Sequence, residues 1–207
     1  MNKYLYYIFT SISFALLIAA PGRLAFGIVL CFELFFLILT GFLFSFLSKR
    51  FQLNEMNSVI TVLSLIFSTV LYKQIIMCLF PVIALQLSFV FYLPAVTSYI
   101  IGIVYKNLNT STKLSLSENL KITLFFSVLA LLFYLVRDIL GYGTITFPSA
   151  SGIFEYQLLK PEVFSCGTLF ASIPGSLVLV CVAILLFIFI QNKFNIIERA
   201  GDENVSK

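Results

Sequence analysis

Arg137-Asp138-Ile139-Leu140-Gly141-Tyr142-Gly143-Thr144-Ile145-Thr146-Phe147 sets two adjacent opposite charges and a glycine turn at the mouth of an apolar run over 122–140. That run has the length of about 20 residues that a helix rising 1.5 Å per residue needs to cross roughly 30 Å of hydrocarbon. The same kind of run recurs along the chain. One covers 4–20 and stops at Pro21-Gly22-Arg23; another covers 25–47 and stops at Ser48-Lys49-Arg50. A third covers 59–72, after which Lys73-Gln74 interrupts, and a last one covers 169–190. Between them, an apolar stretch over 75–105 carries Pro81 and Pro94. Proline removes a backbone donor and clashes with the preceding turn, so this stretch reads as a partial segment followed by a span broken around Pro94. The polar run 106–118 and the segment 141–168 read as loops.

Composition agrees. Of 207 residues, 60% are hydrophobic and 11% charged, against roughly 45–50% and 25% in soluble domains, and the mean hydropathy is +1.06. The expected fold class is therefore an all-α integral membrane protein with about six transmembrane helices. Residues 1–190 form a single transmembrane domain and 191–207 a charged cytoplasmic tail. The N-terminal apolar run lacks a small-residue cleavage site and reads as a span rather than a secretory peptide.

With six spans, the N-terminal side holds Lys3, Lys49, Arg50, Lys106, Lys113, Lys121, Lys193, Arg199 and Lys207, and the other side holds Arg23, Lys73, Arg137 and Lys160. By the positive-inside bias this asymmetry puts both termini in the cytoplasm. The net charge of +4 is then a matter of topology, and the dispersed cations exclude nucleic acid as a partner. The chain has no histidine, the commonest general base, and no phosphate loop, zinc signature or nucleophile elbow, so no catalytic residue is expected.

The stretch 137–147 closely resembles the Arg-Glu-(apolar)-(apolar)-Gly-x-Gly-Thr-(apolar) signature after the fifth helix of the E-type subunits of Rnf electron transport complexes and the equivalent D subunit of Nqr sodium pumps. Asp138 stands where that family usually has Glu. Ser172-Ile173-Pro174-Gly175-Ser176 resembles the family's Leu-Pro-Pro-Gly-Ala opening of the last span. The resemblance implies two inverted three-helix repeats with broken helices in spans one and four. It also implies a bacterial inner-membrane location and a non-catalytic role, as intramembrane scaffold or electron or ion conduit, in a complex that moves Na⁺ or H⁺. The implied partners are an A-type subunit, flavin-bearing membrane subunits and the lipid bilayer. A stand-alone inverted-repeat transporter or channel is the alternative.

The family pair holds a two-iron two-sulfur cluster on cysteines from spans one and four. Here Ser98 stands at the span-four position, and span one offers Ser13 or Ser11. A serine hydroxyl is a poor substitute for the thiolates such clusters take, so no cofactor is expected in this chain. Cys31, Cys78, Cys166 and Cys181 show no CxxC spacing. Cys31, Cys78 and Cys181 read as small hydrophobes packed between helices, and Cys166 as a displaced ligand or a disulfide partner.

Glu33 sits inside the second span, where charge is costly. It reads as an ion-pathway candidate, a proton or sodium ligand, or an anchor for a partner subunit; a protonated or interface-facing carboxyl with no transport role is the plain alternative. Arg137 and Asp138 point about 100° apart on a helix and so reach separate partners. Arg137 is expected to cap the last carbonyls of its own helix. Gly141 is the expected left-handed residue after that helix, and Gly143 a second permissive position.

Overall fold

The structure is a computed structural model, and it describes residues 17–51, 56–96, 112–158, 167–185 and 189. Three helices are long and apolar enough to cross a membrane: α1 (Leu24–Arg50), α2 (Asn57–Leu79) and α5 (Thr112–Tyr142). Two short helices, α3 (Pro81–Gln86) and α4 (Tyr92–Val96), lie between α2 and α5 in the chain. After α5 come strands β1 (Thr144–Ser149) and β2 (Gly152–Gln157), then α6 (Gly167–Ala171) and α7, an apolar helix over Ile173–Leu185. The described residues are mostly helical.

The packing is that of a protein whose solvent is lipid. Large apolar side chains face outward, Phe32 at 64% and Leu63 at 69% exposed, while Glu33, Arg137 and Asp138 are each 0% exposed. In water this would be an aggregation surface; in hydrocarbon it is the expected exterior, with ionisable groups turned to the protein interior. α1 is the central helix. It buries Phe26, Val29, Leu30, Leu34, Leu37 and Ile38 against α2 on one side and α5 on the other.

Several features differ from the sequence reading. α2 runs through Lys73-Gln74 to Leu79 without interruption, because Lys73 turns its ammonium over the Tyr92 ring, 5.3 Å from the centroid, and a long lysine side chain shields its charge in that way without breaking the helix. The loop assigned to 106–118 gives way to helix at Thr112. The loop assigned to 141–168 contains an antiparallel hairpin, in register from Thr144 opposite Gln157 to Ser149 opposite Gly152. The last span does not begin as one helix at Leu169: α6 ends at Ala171, and α7 begins at Ile173 with Pro174 in its first turn, where a proline is tolerated.

The break after α2 is a proline effect of the expected kind. The N–H of Phe80 closes α2 on the Ile76 carbonyl, and Pro81 starts α3. The half of the broken segment beyond Val96, with its expected span-four cluster position, lies outside the described residues; so do the first span up to Phe14-Ala15-Leu16 and the tail.

Candidate functional site

Two buried acidic positions organise the described residues, and their surroundings are opposite. The first is at the Leu24 end of α1, where Pro21-Gly22-Arg23 breaks the chain between the segment at Leu17–Ile18 and α1. Such a break leaves carbonyls on one side and N–H groups on the other without helical partners. No serine or threonine caps α1 locally. The Leu24 N–H instead donates to Asp138 Oδ2 at 3.1 Å, and the Ala25 N–H donates to Thr146 Oγ1 at 3.1 Å. Asp138 also accepts from the Thr146 N–H at 2.8 Å, the Thr146 hydroxyl at 2.7 Å and the Thr144 hydroxyl at 3.0 Å. A carboxylate on the first N–H groups of a helix also meets the positive end of its dipole.

Arg137 serves the other side of the same break. Its Nη1 donates to the Leu17 carbonyl at 3.1 Å and the Ala20 carbonyl at 3.0 Å, and its Nη2 donates to Ala171 at 3.1 Å, the last residue of α6. Arg137 therefore caps carbonyls, but not those of its own helix: it closes two other segments that end beside it. Tyr134, one turn earlier on α5, adds its hydroxyl to the Leu17 carbonyl at 3.3 Å. The expectation that Arg137 and Asp138 reach separate partners holds, and the expected cap on the end of α5 is corrected.

Glycines let these segments approach. A Cβ on Gly22 would stand 3.1 Å from Arg137 Nε, and one on Gly27 would run into the Tyr134 ring. Gly141 lies inside α5, and a Cβ there would meet the Ala171 Cβ at 2.8 Å. Its role is close packing against α6, and the left-handed residue is Gly143, with φ +66°. The Gly143 N–H donates to the Ile139 carbonyl at 3.0 Å, the pattern of a left-handed helix cap. That turn aims β1 back across the node, so Thr144 and Thr146 face inward while Phe147 faces out. The outer strand β2 contributes Glu155, which pairs with Arg23 in the break, and the Arg23 guanidinium lies 4.7 Å from the Tyr142 ring centroid.

The second position is Glu33, nine residues beyond Leu24 and so about 14 Å along α1. Both carboxyl oxygens are without a hydrogen-bond partner. Tyr72 of α2 packs nearby, but its hydroxyl donates to the Val29 carbonyl at 2.8 Å, and its ring is held between Phe36, at 5.5 Å, and Phe91, at 6.0 Å. Because Glu33 has no exposed surface in this chain, it does not face outward as an anchor or an interface-facing carboxyl.

Of the cysteines, Cys31 is buried, with its thiol 3.7 Å from the Ser127 carbonyl of α5. Cys78 and Cys181 are exposed on their helices rather than packed between them, as a small apolar thiol in a lipid-facing position can be. Ser13, Ser98 and Cys166 lie outside the described residues. Among the described residues no three His, Cys, Asp or Glu side chains come together. With serine at Ser98 and no cysteine before Cys31, the donor set does not fit a thiolate-held cluster of the kind the resemblance implies.

Thr144 and Thr146 had no role in the sequence reading, and Tyr72, whose amphipathic ring reads as suited to the membrane interface, is instead buried. For the threonines the signal was present: β-branched and apolar residues alternate through Thr144-Ile145-Thr146-Phe147. For Tyr72 there was none beyond its aromatic character. No family model matches the chain, and no curated protein matches it.

Proposed function

We propose that the chain is a membrane-embedded subunit of an ion-translocating electron transport complex of Rnf or Nqr type, acting as an intramembrane scaffold or conduit rather than as a catalyst. The observation that supports this reading is the buried node made by Arg137, Asp138, Gly141, Gly143, Thr144 and Thr146. The residues that carry the resemblance are the ones that hold a broken helix together at the end of α5. An arrangement of this kind, two helix ends facing each other within a membrane protein, is what discontinuous transporter helices use. On this reading the fold has six spans in two inverted repeats, both termini in the cytoplasm of a bacterial cell, and the lipid bilayer and an A-type subunit as neighbours.

The test is co-purification of the tagged full chain from its native membranes. An A-type subunit and flavin-bearing membrane subunits are expected with it. Isolation of the chain by itself, together with ion uptake by that chain alone in liposomes, overturns the reading in favour of a stand-alone transporter or channel.

A further inference from the structure

Glu33 is not used by the node. It lies three residues from the middle of the span Leu24–Ser48, about 5 Å from the midplane at 1.5 Å per residue. A carboxylate there without donors is among the costliest groups a bilayer protein can hold, and neither Glu33 oxygen has one. Among the described residues no cation compensates it. Lys73, beside Tyr72 on α2, turns to the Tyr92 ring, and Arg137 is committed to carbonyls at the Leu24 end. Of the described titratable groups on α1 and α2, the Tyr72 hydroxyl is held by Val29 and the Cys31 thiol faces α5.

The remaining polar groups form a sequence toward the opposite end of α1. Tyr72 meets Val29, so along two antiparallel helices Ser68 comes level with Glu33 and Ser64 with Leu37, one turn further. Ser68 and Ser64 are buried, and the Ser68 hydroxyl turns back to the Ser64 carbonyl at 2.7 Å, leaving its lone pairs free to accept. Two further buried hydroxyls, Ser127 on α5 and Ser48 near the Arg50 end of α1, have no hydrogen-bond partner. Orphaned buried polar atoms on facing helices are the places where internal water is held.

We propose that Glu33 is a proton-exchange site near the middle of the membrane, reached by water from the Arg50 end of α1 along the buried hydroxyl-bearing faces of α1, α2 and α5. The chemistry is a reversible transfer of one proton between water and a Glu33 carboxyl oxygen, with no other bond formed or broken. A proton suits the site better than a metal cation, which needs a shell of several oxygens: the neighbouring Tyr72 is packed between the Phe36 and Phe91 rings, and its hydroxyl is engaged with the Val29 carbonyl. The inference deepens the ion-translocating reading and rests on it for the coupling of that proton to transport.

Infrared spectra of the full chain with its co-purifying subunits, in lipid nanodiscs, test it by exchange from H₂O to D₂O. The expected result is a protonated-carboxyl stretch that shifts in D₂O, is lost in Glu33→Gln and persists in Ser127→Ala with exchange slowed several-fold. A stretch that never shifts, assigning a sealed acid, overturns the proposal; so does its absence, or its removal by sodium at fixed pH, which assigns a cation site. The D₂O shift is read on the unaltered protein, so a misfolded variant does not decide the matter. Failure of co-purification strikes the complex and leaves this spectrum to be read on the chain alone.

Discussion

Asp138 and Glu33 are two fully buried carboxyls on neighbouring helices, and one has four donors where the other has none. The difference teaches what each is for. A buried charge whose lone pairs are all met is part of the architecture, and removing one side of it leaves the other side stranded. A buried carboxyl with no partner contributes nothing to holding the fold and persists at a cost, which is the mark of a group kept for what it does.

The sharpest way to break the comparison is to remove the node. Asp138→Leu strands the Leu24 and Thr146 N–H groups and two threonine hydroxyls, and Arg137→Met strands the Ala20 and Ala171 carbonyls and leaves the Leu17 carbonyl to Tyr134 alone. Each is expected to destabilise by about 3–5 kcal/mol, the usual loss when one side of a buried charged network is deleted. Thermal unfolding in detergent, or loss of folded protein from membranes, measures it. Next comes Gly27→Ala, whose Cβ would drive into Tyr134; about 1–3 kcal/mol is expected for such overpacking, seen as a lower midpoint in the same melt.

Arg23→Ala breaks the half-exposed pair with Glu155 and the stacking on Tyr142, and about 1 kcal/mol or less is expected, diminishing further at high salt. The smallest stability effect belongs to Glu33→Gln, which replaces a partnerless carboxyl by a neutral group of the same shape and removes no hydrogen bond: the melt should move least of these variants while coupled proton movement is lost. If Glu33→Gln unfolds the protein as Asp138→Leu does, the two carboxyls are not different in kind.

Much of this division was invisible in the sequence, for a physical reason. The three long helices were legible because hydrocarbon demands continuous apolar runs, although Lys73 looks like an end of α2 and is not one. The position of Glu33 was equally plain, since a lone acid in such a run has nothing to hide behind. The partners of Arg137 and Asp138 were not. Those across the break lie more than 110 residues away at Leu17, Ala20 and Leu24, and backbone N–H and carbonyl groups carry no side-chain signature. The same blindness put the left-handed turn at Gly141: two glycines near a helix end look alike in a sequence, and what separates them is Ala171 packed against one. The hairpin was missed because Pro148 and the short strands weaken a pattern that Thr144 to Phe147 begins.

The break at Pro21–Arg23 also sets an order of events in the cell. Its open carbonyls and N–H groups are synthesised before Arg137 and Asp138, which close them and emerge more than a hundred residues later. Until α5 is delivered, the nascent first segments carry bare backbone that only water or the insertion machinery can satisfy. The early spans are therefore clients in waiting, and the ribosome must finish the fifth helix before the first turn of α1 has a home.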